Sequence, residues 1–110
     1  MKVTITSIEL KSPLKFFLLS ASALQIIRQL KATNCKEFKK KGWWTKHYTM
    51  TLWDNQGDIE RFAKSGAHLI AMKTSSRIAK EIRTTTIDAT TPPKWGKAME
   101  LLKNGKVIRF

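Results

Sequence analysis

Chemistry in this chain rests on few side chains: two histidines and one cysteine among 110 residues. Cys35, His47 and His68 stand far apart in sequence and form no spacing that holds a structural zinc ion, so no metal site is expected. The sequence also has no nucleophile elbow, phosphate-binding loop or dinucleotide-binding glycine pattern, and Gly57 and Gly66 read as simple breakers. His68 is the candidate catalytic residue. If a helix restarts at Ala67 after a break at Ser65-Gly66, then His68, Ala71, Met72, Ser75, Ala79 and Ile82 share one stripe, with Lys73, Arg77 and Lys80 opposite. The positive end of that helix would keep the imidazole neutral, able to act as a base or to ligate haem iron. The bland alternative is a histidine satisfied by backbone or water. On one straight helix, His68 would lie opposite Ile59 and Phe62 and face solvent. His47, Trp43 and Trp53 are the candidate ligand-binding residues of a strand, together with Met72 on the helix. For His47, cross-strand packing is the competing role.

These residues need a scaffold, and the hydrophobic periodicity supplies one. Val3 and Ile5 alternate, and Ile8 and Leu10 continue in the opposite phase, which predicts a first strand with a bulge. Ser12-Pro13 is an N-cap followed by proline at the first helical position. The helix from Pro13 to about Ala32 carries Phe16, Leu19, Ala23, Ile26, Ile27 and Leu30 on one stripe. Leu14, Phe17, Leu18, Ala21 and Leu24 lie on the other side of its first half. A helix apolar on two sides calls for two covers, its own sheet and something else: the C-terminal tail through Val107, Ile108 and Phe110, or a partner chain.

Cys35 to Lys40 and Trp43 to Trp53 form a hairpin turning at Lys41-Gly42. The second strand has two faces. Trp44, Lys46, Tyr48, Met50 and Leu52 resemble ordinary core. Trp43, Thr45, His47, Thr49, Thr51 and Trp53 suit a lined cavity or a sheet-to-sheet contact. A turn over residues 54–58 ends in an N-cap at Asp58, and a helix follows. Thr84 to Thr90 is a β-branched strand stopped by Pro92-Pro93. Trp95 to Lys103 makes a short helix and Val107 to Phe110 a last strand. The whole chain, residues 1–110, is therefore expected to be one α+β domain of ferredoxin-like βαββαβ order with an αβ tail.

Twenty-one Lys and Arg against eight Asp and Glu give a formal charge of +13. That excess draws the chain toward polyanions, whether nucleic acid, acidic lipid or a small anion. The apolar run Phe16 to Ile27 is shorter than the ~18 residues of a membrane span and is flanked or interrupted by Lys15, Gln25 and Arg28. No membrane span is therefore expected. A single cysteine suits a reducing compartment, and the first ten residues read as a strand instead of a secretory signal, so a cytoplasmic location is the expectation.

The stretch Leu52-Trp53-Asp54, then Ile59 and Phe62, then Ser65-Gly66-Ala67-His68 and Ala71-Met72 resembles the dimeric α+β barrel superfamily. Within it, the likeness is to the spheroidene monooxygenase-like group and its bacterial relatives. The resemblance covers Tyr48 to Ile78, and leaves out the basic strand Cys35–Lys41 and the Pro92-Pro93 tail. It implies a homodimer of facing sheets and a pocket between each sheet and its helices. It also implies a small-molecule ligand and a monooxygenase-type activity on an aromatic or polyene-like substrate. Haem is admitted as a cofactor but not required, and the first strand lacks the asparagine that haem degraders of the superfamily use. The homodimer contact is expected on the face bearing Thr45, His47, Thr49 and Thr51.

The rival function shares the topology. RNA-recognition domains are also βαββαβ, with a Lys/Arg-Gly-aromatic third strand. Lys41-Gly42-Trp43 and Tyr48 match that pattern. Thr45 and the first-strand Thr4 or Thr6 stand where stacking aromatics belong, so nucleic acid is the second choice of partner.

Overall fold

The computed structural model describes residues 1–31, 33, 35–64 and 77–109. Five antiparallel strands form one sheet: β1 (Lys2–Leu10), β2 (Glu37–Trp43), β3 (Lys46–Trp53), β4 (Ala79–Asp88) and β5 (Lys106–Arg109), in the order β2-β3-β1-β4-β5. The first four strands have the ferredoxin-like order, and β5 extends the β4 edge. Helix α1 (Phe16–Lys31) follows a 3-10 turn at Pro13–Lys15, α2 (Gln56–Ala63) follows β3, and α3 (Trp95–Leu102) belongs to the tail. The α+β ferredoxin-like expectation holds.

Antiparallel register sorts every strand residue onto one of two faces. Val3 sits opposite Leu52 and Ile87, and Ile5 opposite Met50 and Thr85. Val3, Ile5, Met50 and Leu52 are buried with Ala98 and Leu102 of α3, and Tyr48, Ile87 and Trp95 border that cluster. On the other face Trp53 is buried with Leu30 of α1 and Phe62 of α2, with Ile26, Cys35, Phe38 and Ile59 around them. The sheet is therefore covered from both sides, by α3 on one and by α1 and α2 on the other.

That double cover explains the phase change in β1. Val3 and Ile5 serve the α3 face, while Ile8, opposite His47 and Ile82, lies on the α1 face. No bulge separates them. The register shift falls later, between Glu9 and Leu10 against β4.

The β2–β3 hairpin turns at Trp44-Thr45 instead of Lys41-Gly42, because Trp43 pairs with Lys46 and Gly42 with His47. Trp44 has φ 54°, a left-handed conformation that costs a residue with a side chain about 1–2 kcal/mol. Gly42 is needed in the strand for another reason. A β-carbon there would lie 2.3 Å from His47 Nδ1, so a side chain would evict the imidazole that lies over it.

Helix α2 is capped by Asn55, not Asp58: the Asn55 side chain accepts a hydrogen bond from the Asp58 amide at 2.9 Å. Asp58 is buried and accepts from Arg61. Helix α2 ends at Ala63, ahead of the expected break. The restart at Ala67, with His68 and Met72, lies outside the described residues. Val107 and Ile108 of the C-terminal tail do not cover α1, and Phe110 lies outside the described residues. Strand β5 pairs with β4, Ile108 stays 43% exposed, and Leu14, Phe17, Leu18 and Leu24 are 51–76% exposed.

Candidate functional site

The α1 face of the sheet carries a layer of threonines. Thr4 and Thr6 of β1, Thr49 and Thr51 of β3, and Thr84 and Thr86 of β4 occupy it by register. Thr86 is exposed and the other five are half-buried. Threonine forms strands readily because of its β-branch, and its hydroxyl can pair across strands. Thr4 Oγ1 lies 3.1 Å from Thr86 Oγ1, and Thr6 Oγ1 3.3 Å from Thr84 Oγ1. Four of the six hydroxyls thus pair with one another in a surface that is neither charged nor fully apolar.

Aromatic groups bound this layer at both ends of β3. At one end Trp53, 1% exposed, meets Phe62 at a ring separation of 5.4 Å and donates its indole N–H to Thr51 Oγ1 at 2.7 Å. Trp53 is thereby a core residue with a satisfied polar group. At the other end the His47 ring stacks on Phe16 of α1, centroids 5.4 Å apart, and its Nε2 lies 3.2 Å from the Trp44 carbonyl oxygen. Helix α1 therefore meets the sheet through Phe16 at its start and through Ile26 and Leu30 near its end, with the threonines between.

His47 and Trp53 share the α1 face as expected. Trp43 is not a residue of their strand: it ends β2, paired with Lys46. The two-residue turn at Trp44-Thr45 accounts for the difference, since the expected face assigned Trp43 and Thr45 to the second strand. Contact between two copies through the threonine face is also corrected, because α1 and α2 already lie on it.

A second concave region escaped the sequence reading. On the α3 face, beyond the apolar cluster, a cleft of about 310 Å³ is bounded by Ser7, Glu9, Lys46, Tyr48, Glu81 and Arg83, with Met99, Leu102 and Lys103 at its α3 rim. Arg83 Nε donates to Glu81 Oε1 at 2.5 Å, and Arg109 Nε lies 4.0 Å from Glu81 Oε2. The hydrogen bond from Arg83 holds the Glu81 carboxyl below the usual glutamate range, against a smaller opposing effect of desolvation. Alternating charge along residues 81–83 was visible in the sequence, but its place beside Lys46 and Glu9 depends on strand order.

Cys35 donates its thiol to the Glu37 carbonyl oxygen at 3.3 Å, and burial pushes its pKa up, so the thiol is neutral and a poor nucleophile. No cluster of metal-ligating side chains occurs among the described residues. Neither His47 nor Cys35 is free to ligate haem iron: His47 is stacked on Phe16 with Nε2 at a carbonyl, and Cys35 is a bonded, neutral thiol. No helix among the described residues is long and apolar enough to cross a membrane.

The RNA-recognition pattern does not survive the strand assignment. Lys41-Gly42-Trp43 closes the edge strand β2, while Tyr48 lies on β3 beside Trp95 at 6.4 Å between rings. The residues do not share a third strand, so the third-strand pattern of that fold is not met.

No protein-family model and no curated protein matches the sequence. Solved structures match the fold. A protein of Deinococcus radiodurans described as a "putative antibiotic biosynthesis monooxygenase" superposes with a TM-score of 0.71 at 11% identity, covering 86% of this chain and 97% of that one. A protein of Nitrosomonas europaea with the same description gives 0.71 at 13% identity over 83% and 91% of the two chains. Rv0793 from Mycobacterium tuberculosis gives 0.72 at 10% identity over 86% and 100%. The chain thus has the α+β ferredoxin-like fold of structures described as antibiotic biosynthesis monooxygenases.

Proposed function

We propose that this chain binds a small aromatic or polyene-like molecule between α1 and the threonine layer of its sheet. The observation that carries the reading is the half-buried layer of paired hydroxyls, bounded at its two ends by Phe16–His47 and by Trp53–Phe62. A flat apolar molecule would be held there by contact with the threonine methyls and oriented by their hydroxyls. The likeness of fold to structures described as monooxygenases supports extending the reading to an oxygenation of a substrate CH2 carbon by dioxygen, in which His68 as base removes one proton, one oxygen atom stays on that carbon as a carbonyl and the other leaves with the two hydrogens as water. No step passes through haem, because His47 and Cys35 are both engaged elsewhere.

The reading includes a homodimer, built on the α3 face. Helix α3 covers the apolar end of that face, and the remaining cleft carries Glu9 and Glu81 with Lys46, Arg83 and Lys103. A twofold axis would set such mixed charges against their opposites in a second copy. Sedimentation equilibrium should then report twice 12.6 kDa, and a monomer at micromolar concentration would remove this part.

Titration with naphthol and hydroxyanthracene, followed by tryptophan quenching and thermal shift, tests the ligand site. Saturable binding is expected, weakened about tenfold (about 1.4 kcal/mol) by Thr49→Leu, which fills the layer. His68→Ala should cost about 1 kcal/mol of binding, the worth of one hydrogen bond. Absence of saturable binding, or binding indifferent to Thr49→Leu, would defeat the proposal.

A further inference from the structure

The outward side of α1 has no role in this ligand site. Leu14 (76% exposed), Phe17 (72%), Leu18 (52%) and Leu24 (51%) recur at the three- and four-residue spacing of one helix side, with the exposed Ala21 between them. Scattered apolar side chains on a surface mean little, but a stripe of this length, over more than two helical turns, marks a contact. No described residue of the tail covers it: β5 is paired to β4 at the far edge of the sheet.

Two further observations say what the occupant is. From Leu10 to Lys36 the sequence has five cationic residues, Lys11, Lys15, Arg28, Lys31 and Lys36, and no Asp or Glu. Lys11 and Arg28, at the two ends of the stripe, are exposed. The second observation is Trp44 at the hairpin tip. It is 70% exposed and holds φ 54°, where glycine or asparagine would sit with less strain. The tip adjoins the start of α1, because His47 contacts the Trp44 carbonyl and stacks on Phe16. Exposed leucine and phenylalanine, a cationic fringe without carboxylates and an aromatic tip are the features of a segment lying in a membrane interface.

We propose that α1 and the Trp44 tip form a docking surface for an anionic lipid bilayer, with the chain lying on the membrane and not crossing it. A second copy of the chain is the poorer occupant, since stripe-to-stripe contact would set Lys11, Lys15 and Arg28 of two cationic molecules against each other. A bilayer of acidic headgroups supplies both an apolar phase and countercharge. The surface also lies beside the proposed ligand layer, on the opposite side of the same helix, which suits a ligand drawn from the lipid phase.

Vesicles of phosphatidylcholine alone and of phosphatidylcholine mixed with phosphatidylglycerol provide the probe, with the full chain and no other ligand. Co-sedimentation is expected with the mixed vesicles, falling as salt is raised, and the emission of Trp44, identified by its loss in Trp44→Phe, should shift to the blue. Phe17→Ser with Leu18→Ser removes only exposed apolar groups and should weaken partition about tenfold or more at unchanged melting temperature. Lys11→Glu with Arg28→Glu should abolish the preference for anionic vesicles. Equal binding to both vesicle types, no binding to either, or binding untouched by the Phe17/Leu18 variant would overturn the proposal. So would self-association that the Phe17/Leu18 variant abolishes, which would identify the stripe as a contact between copies. None of these readouts depends on an aromatic ligand, so failure here leaves the ligand site standing.

Discussion

The two faces of the sheet use the same strands for opposite ends. On the α3 face, Val3, Ile5, Met50 and Leu52 are buried against Ala98 and Leu102, and nothing but close packing is required of them. On the α1 face the residues between those positions are threonines that remain half-buried, while α1 and α2 pack on the same face around Trp53. A strand alternates its side chains, so the sequence can assign stability to one face and leave the other for a different use. An ordinary core would have placed valine or isoleucine at Thr6, Thr49 and Thr84 without changing strand propensity. Threonine there yields burial energy, and that is why the layer is read as a lining.

Substitution can break this contrast at three levels. The largest effect belongs to the packed face. Ile5→Ala removes a side chain with no exposure and should lower unfolding free energy by about 2–5 kcal/mol in urea titration. A loss below 1 kcal/mol, on the order of a surface change, would mean that the α3 face is not the core. An intermediate effect is expected where the second face touches its own small core. Thr51→Val deprives the buried Trp53 indole of its acceptor, and should cost about 1–3 kcal/mol, with a change in near-ultraviolet circular dichroism. An unchanged spectrum and stability would show that the indole finds another acceptor. The smallest effect sharpens the comparison. Thr6→Val combined with Thr84→Val replaces both members of a hydroxyl pair by apolar isosteres, and should leave the melting temperature nearly unchanged while altering the affinity for naphthol. A large fall in stability would make the threonines structural and remove the argument for a lining.

Helix α1 presents the same division on one element. Its inward residues Ile26 and Leu30 join the Trp53 cluster, while Phe17 and Leu24 face outward uncovered. The second apolar side was legible in the spacing of the sequence. Which of its two expected covers applies was not, and of the tail residues, Val107 and Ile108 are taken up by pairing with β4.

The sequence alone determined the order of elements, the helix stripes and the alternation that separates Met50 and Leu52 from Thr49 and Thr51, because these follow from periods of 3.6 and 2 residues along the chain. It also determined the cationic excess and the poverty of catalytic groups. The hairpin turn lies three residues beyond its expected place, since Lys41-Gly42 carries the usual turn chemistry whereas Trp44 adopts a turn conformation that its own type disfavours. Only the tertiary structure decided which helices cover which face, that Gly42 is small to admit His47, and that Glu81 and Arg83 meet Lys46 and Glu9 at one cleft. Those are contacts between strands distant in sequence. Local pattern cannot encode them, because they arise from strand order and register once the sheet has formed.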